Sequence, residues 1–453
     1  MSNSLIKESK KVYLKDYKIP NYLIPKLKLD FKIESDQTII VTNTMTVIPN
    51  SDSPQTPLEL DGDTSFLSLE SIKINNNPIL SINQTKNKLK LGAYTTETTI
   101  EIITKFNPSE NLALEGIYNS DGILCSQNEP QGFRRITYFM DRPDIMSCYS
   151  VTITADSNQY PILLSNGNKI SEKILKNGQL QVCWEDPFPK PSYLFALVAG
   201  KLGKITDTFT TKSNRNIKLE IYVDPGNESY TQFAMNSLKK SMKWDETHYN
   251  REYDLDLYMI VAVDAFNMGA MENKGLNIFN TQYVLGDHKT ATDQDIQGID
   301  RVIAHEYFHN WTGNRITLRD WFQLTLKEGL TVFRDQQYTA DQHHSALKRI
   351  HDVTLLRNHQ FIEDAGPMAH PIRPESFIEI NNFYTVTVYE KGAEIIRLYH
   401  TLLGSELYRQ AMDRYFELYD GQAITTEDFQ EVMASVSGQN LSQFENWYSQ
   451  SGT

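Results

Sequence analysis

Two histidines four residues apart, in His305-Glu306-Tyr307-Phe308-His309, are the residues of this chain best spaced for metal chemistry. On a helix that spacing sends both imidazoles off one face, about one turn apart, so that they can share one ion. Neutral imidazole is a good zinc ligand, and three protein ligands with a fourth position left to water mark a catalytic rather than a structural site. Glu328, nineteen residues after His309, can supply the third ligand. Glu306, beside a ligand, can take the proton from the zinc-bound water, whose acidity the metal raises toward neutral pH. The bland alternative is a chance match, because a five-residue pattern with two free positions occurs in unrelated helices.

Helices must position these groups. Thr292 or Asp293 can cap the first, whose apolar face is Ile299, Val302, Ile303 and Phe308, and Thr312-Gly313-Asn314 is expected to end it. A second helix carries Lys327 to Asp335. Asp335 lies seven residues after Glu328, on the same face, and is placed either to hold a ligating histidine or to form an exposed salt bridge. Upstream, the apolar strand Leu257 to Val263 runs into Asp264-Ala265-Phe266-Asn267-Met268-Gly269-Ala270-Met271-Glu272-Asn273. The small pair Gly269 and Ala270 lets another backbone approach, so a substrate peptide can add there as a strand; an ordinary bulge is the alternative.

The flanking segments read as support. From Lys15 to about Lys201 short alternating runs, among them 38–48, 98–106 and 179–184, are bounded by Asn and Gly clusters and predict an all-β domain. Within it, Ser126 to Arg135 reads by itself as a solvated polar loop. A helix is expected over 229–249, with Met235, Leu238, Met242 and Tyr249 as core, and further helices over 346–358, 389–403, 405–419, 426–437 and 441–448.

Composition excludes several classes. Net charge is -13 with no basic tract, which argues against nucleic acid as a partner. Cys125, Cys148 and Cys183 form no CxxC pair and are expected to be small buried side chains, not a disulfide framework or a metal site. No apolar run of signal-peptide length lies in Met1 to Tyr22, and none elsewhere is long enough to span a membrane, so a cytoplasmic, soluble monomer is expected. The eight histidines outside the pentapeptide, His343-His344 included, show no second ligand spacing.

Taken in order, Gly269-Ala270-Met271-Glu272-Asn273, His305-Glu306-Tyr307-Phe308-His309 and Glu328 within Leu326-Lys327-Glu328-Gly329-Leu330-Thr331 resemble the motifs of the gluzincin aminopeptidases of the aminopeptidase N type, most closely the bacterial alanyl aminopeptidase branch. The resemblance extends to Gly132-Phe133-Arg134, Tyr138, Asp141-Arg142-Pro143-Asp144, Val388-Tyr389-Glu390-Lys391-Gly392 and the terminal Trp447 to Gly452. It implies a multi-domain fold: an N-terminal all-β, saddle-like domain over 1–201 and a thermolysin-like α+β zinc metallopeptidase catalytic domain over 202–453. The family's C-terminal β-sandwich and helical domains are expected to be absent, making this a two-domain fragment with reduced activity.

By the same resemblance, His305, His309 and Glu328 bind one zinc per chain and Glu306 is the general base. Tyr389 would donate to the oxyanion of the tetrahedral intermediate. Glu272 and Glu129, with Gln127 beside them, would hold the free α-ammonium of a peptide substrate, Met268 would line the pocket for its first side chain, and Gly269 and Ala270 would bind its backbone; Met271 and Asn273 complete the substrate-binding set. The implied reaction removes residues singly from a free N-terminus. Two other readings share the fold: a non-catalytic scaffold, which predicts lost ligands where all are present here, and the epoxide-hydrolase branch, whose Gly-Gly-Met-Glu-Asn differs from this chain at Ala270.

Overall fold

Long strands dominate the first two hundred residues of the computed structural model, which describes residues 11–452. The first ten residues, on which part of the N-terminal reading falls, and Thr453 lie outside the described residues. In the strand Ile39–Pro49 buried and half-buried side chains alternate almost throughout, the period-two signature of a sheet with one face on a core. It belongs to an eight-stranded sheet ordered 168–174, 179–190, 147–156, 22–33, 39–49, 98–106, 68–74, 77–78. Only the contact of Tyr22–Ile33 with Ser147–Asp156 is parallel. A four-stranded sheet, Gly116–Ser120, Ile123–Gln127, Leu197–Gly200 and Ile162–Ser165, packs with it, and among the described residues no α-helix precedes Gln232. The all-β expectation for this region holds.

At Gly203 the chain enters a different, five-stranded sheet, and we propose Lys201–Leu202 as the division between the two regions. Its order is Gly203–Thr210, Asn216–Val223, Leu257–Val263, Leu276–Asn280 and, at the edge, Ala270–Met271. All seven residues of Leu257–Val263 are buried. Leu257, Met259, Val261 and Val263 face the core shared with the N-terminal β region, and Tyr258, Ile260 and Ala262 face the helices. Cover on both faces is why this strand reads as an unbroken apolar run.

Nine helices follow among the described residues: α1 (Gln232–His248), α2 (Asp293–Phe308), α3 (Leu324–Gln342), α4 (Ser345–Leu355), α5 (Phe361–Asp364), α6 (Gly392–Leu403), α7 (Ser405–Tyr419), α8 (Thr426–Ser437) and α9 (Phe444–Ser449). Thr292 caps α2 in a capping box with Asp295, and α2 lies between α1 and α3. None of the helices is long and apolar enough to cross a membrane.

Four expectations change. Helix α2 ends at Phe308, not at 312–314, because the chain tightens (Asn310 N–H to Tyr307 O, 3.0 Å) and folds back beneath His309. The helices expected over 346–358 and 389–403 each contain a wider π-helical turn, at Leu356–Gln360 and Thr387–Lys391. The stretch 126–135 is no solvated loop: Gln127 ends a fully buried strand, and Asn128 donates to Phe195 O at 2.7 Å. Of the cysteines, only Cys125 is buried; Cys148 and Cys183 are partly exposed.

Candidate active site

Helices α2 and α3 bring three donor atoms together. His305 Nε2 and His309 Nε2 are 3.0 Å apart, and Glu328 Oε2 lies 3.5 and 3.4 Å from them. Ligand atoms on a tetrahedral zinc, about 2.0–2.2 Å from the metal, stand roughly 3.3–3.6 Å from one another. Glu328 Oε2 is buried without a hydrogen-bond partner, whereas a buried carboxylate oxygen is ordinarily satisfied. The donor set therefore fits a zinc-sized cation.

The outward nitrogens of both imidazoles are fixed. His305 Nδ1 meets Asp335 Oδ2 at 2.9 Å, so of the two roles open to Asp335 the structure has it holding the histidine. His309 Nδ1 is 2.9 Å from Thr312 O and 3.2 Å from Thr331 Oγ1. With Nδ1 donating, Nε2 is the lone pair left for a metal. The turn under His309 passes so close that a Cβ on Gly313, at φ +150°, would sit 2.9 Å from Nδ1. Arg334, fully buried against Asp245, donates to Phe308 O at 2.8 Å and Thr312 Oγ1 at 3.0 Å, pinning the end of α2. Thus α3 supplies Glu328, Thr331, Arg334 and Asp335 from successive turns. Against the lowering effect of burial, Asp335 and Glu328 push the His305 imidazolium up to about 10, so a bound metal must displace its proton.

Beside the donors lies a carboxylate cluster. Oxygens of Glu306 and Glu272 and a ring nitrogen of His309 are within 4.8 Å of one another, as are oxygens of Glu129, Glu272 and Glu328. Burial, followed by repulsion from Glu272 and Glu328, pushes the Glu306 carboxyl well above its usual range despite the pull of His305. Lys327, which sequence reasoning missed, sits in the cluster with Nζ 2.7 Å from Glu129 Oε1, 2.7 Å from Glu272 Oε1 and 2.6 Å from Glu328 Oε1. Burial opposes ionisation of Glu272 and Glu328, but the Lys327 ammonium and His309 together outweigh it and hold both below the usual range. Burial takes Glu129 the other way, up to about 8, with Lys327 offsetting only part.

Gln127 Oε1 and both polar atoms of the Asn273 side chain are buried without hydrogen-bond partners. Ala270 and Met271 pair with Phe279 and Ile278, leaving their outer edge at the margin of the sheet, and Gly269 O accepts from Asn280 N–H at 2.9 Å. Met268 is half-buried against the core. Tyr389 leaves the π-turn of Thr387–Lys391; burial and then the Glu328 charge hold its phenol well above its usual range. Gly329 and Gly392 make this approach possible: a Cβ on Gly329 would lie 2.8 Å from the Gly392 carbonyl carbon, so the ligand helix and the Tyr389 turn touch backbone to backbone. A polar cavity of about 910 Å³ adjoins the site, with Tyr283, Arg301, Asp335 and Glu390 in its wall.

Comparison with known proteins places this geometry. Residues 233–448 match the peptidase family M1 domain and residues 26–194 the peptidase M1 N-terminal domain. Aminopeptidase N of Escherichia coli is 53% identical over 441 residues, covering 97% of this chain and 50% of that protein. Aminopeptidase N of Haemophilus influenzae is 53% identical over 98% of this chain and 51% of that protein. The crystal structure of Legionella pneumophila aminopeptidase A in complex with aspartic acid superposes with a TM-score of 0.91 at 36% identity, over 98% of this chain and 51% of that one. The chain thus spans about half the length of these relatives.

Proposed function

We propose, from the premise that this chain belongs to peptidase family M1, that it is a zinc-dependent aminopeptidase acting on peptides with a free α-amine. The observation that carries the reading is the contiguity of three metal donors, Glu306, and the carboxylates of Glu272 and Glu129 in one buried cluster. Zinc held by His305, His309 and Glu328 would acidify water, polarise the scissile carbonyl and add positive charge that draws Glu306 back to its ionised form.

In this reading Glu306 accepts the proton of the attacking water and returns it to the departing amine. Tyr389 donates to the oxyanion as charge develops there. The substrate ammonium binds Glu272 and Glu129, with Gln127 Oε1 as a further acceptor, and Lys327 helps keep Glu272 and Glu328 ionised before substrate arrives. The substrate backbone follows Gly269 and Ala270 along the sheet edge, its first side chain meets Met268 and Met271, Asn273 shapes the same wall, and the rest of the peptide extends toward the Arg301 cavity. A monomer working in the cytoplasm completes the proposal.

An N-terminal acetyl group tests it. Blocking the amine removes the charge that would meet the Glu272 and Glu129 oxygens Lys327 does not satisfy, an expected penalty of about 1–3 kcal/mol or more, so alanyl anilide should be cleaved at least about fivefold faster than its acetylated form. Equal rates would contradict the amine clamp.

A further inference from the structure

Tyr389 sits in a π-helical turn, a geometry rare outside single turns. Something outside the turn must hold it. On the α3 side Thr325 Oγ1 donates to Val388 O at 2.8 Å. On the opposite side Glu363 Oε2 accepts from Thr387 N–H at 2.9 Å and Thr387 Oγ1 at 2.5 Å.

The far end of the turn is closed by a ring of groups that the proposed chemistry does not use, its side chains buried and its Gly452 backbone at the surface. Lys391 Nζ donates to Asp364 Oδ2 at 2.7 Å and to Gly452 O at 2.9 Å, while Gly452 N–H donates to Asp364 Oδ1 at 2.7 Å. Gln360 Nε2 bridges Asp364 Oδ2 and Thr387 Oγ1 at 3.1 and 3.2 Å, joining the two ends of the turn. Lys391 and Asp364 are 7% and 4% exposed, so the pair is held out of water and loss of either partner leaves the other unsatisfied.

We propose that Lys391, through Asp364 and the Gly452 backbone, is the positioning residue that keeps Tyr389 in register, a latch by which residues near 452 control the stabiliser of the oxyanion. If the latch opens, the wide turn can relax toward α geometry. That removes one residue from the turn and rotates Tyr389 by about 100° around the axis relative to α6. The inference rests on the proposed role of Tyr389.

Its test is binding, measured by calorimetry on the zinc-loaded chain. The probes are 1-aminoethylphosphonate, a tetrahedral anion, and isopropylamine, which offers the amine clamp the same ammonium and methyl group without an anionic group. Lys391→Met is expected to weaken the phosphonate about tenfold or more, as loss of one hydrogen bond to a charged group would, and to leave isopropylamine binding and zinc content unchanged. Tyr389→Phe should weaken the phosphonate as well, the double variant should lose no more than Tyr389→Phe alone, and Lys391→Arg should restore binding. Asp364→Asn, which keeps the volume, carries the same expectation if Lys391→Met fails to fold. Undiminished phosphonate binding in Lys391→Met, additive losses, or equal weakening of both probes overturns the latch while leaving the Tyr389 reading intact. An unaffected Tyr389→Phe overturns both.

Discussion

Replacing Lys327 with methionine removes the ammonium that contacts Glu129, Glu272 and Glu328 while keeping most of the side chain's volume. All three contacts are 2.6–2.7 Å and the four residues are 5% exposed or less, so water cannot take the place of the ammonium. Each ionised pair, with Glu272 and with Glu328, contributes a gross attraction of about 4 kcal/mol at an effective dielectric near 20 and 4 Å charge separation, set against the desolvation of the lysine. Breaking such a buried arrangement from one side costs about 3–5 kcal/mol net. Denaturant unfolding of the metal-free Lys327→Met chain should show a loss of that size. With zinc present the loss should be smaller, because a site with one fewer positive charge binds the cation more tightly and binding to the folded state adds stability by mass action. Unchanged stability of the metal-free variant, or the same loss with and without zinc, would refute the reasoning.

Two further predictions concern the groups behind the donors. Asp335→Asn removes the charge on His305 Nδ1 but keeps an acceptor, and should weaken zinc binding about 10–100-fold in competition with a chelator; unchanged affinity would contradict the role given to the 2.9 Å contact. Glu390 is pushed up to about 7, first by burial and then by Asp335. A carboxyl raised on folding stabilises the fold fully below its unfolded pKa, about 4.3, and that contribution is lost as pH rises through about 7. Thermal midpoints should therefore shift in favour of Glu390→Gln over the wild type as pH rises across that window, and parallel profiles would sink the assignment.

What could be read beforehand divides by distance along the chain. The candidate metal donors were legible because an i, i+4 pair on a helix dictates its own geometry, and Asp335 because seven residues are two helical turns from Glu328. Lys327 was not, since a residue adjacent to a ligand on a helix ordinarily points elsewhere; the available signal was two clustered glutamates in need of a counter-charge. Thr331, Arg334 and the Thr312 carbonyl depend on where α2 ends, and the glycine and asparagine of 312–314 marked the tight turn under His309 instead of a helix cap. The polar stretch 126–135 misled because its burial comes from Phe195 and neighbours nearly seventy residues away in sequence, invisible to local pattern. The π-turn of Thr387–Lys391 was hidden for a related reason: its helical periodicity is normal, and groups that bond it lie far away in sequence, at Thr325, Glu363 and Gly452.

The central claim is that Glu306 performs proton transfer at a zinc held by His305, His309 and Glu328, and one paired measurement tests it most directly. Zinc content and turnover of an aminoacyl anilide should be determined together on this chain and on Glu306→Gln. The account predicts one zinc bound in both, with turnover in the variant lower by roughly 10²–10⁴-fold. Retained turnover in Glu306→Gln, or hydrolysis by a chain that binds no zinc, would contradict it.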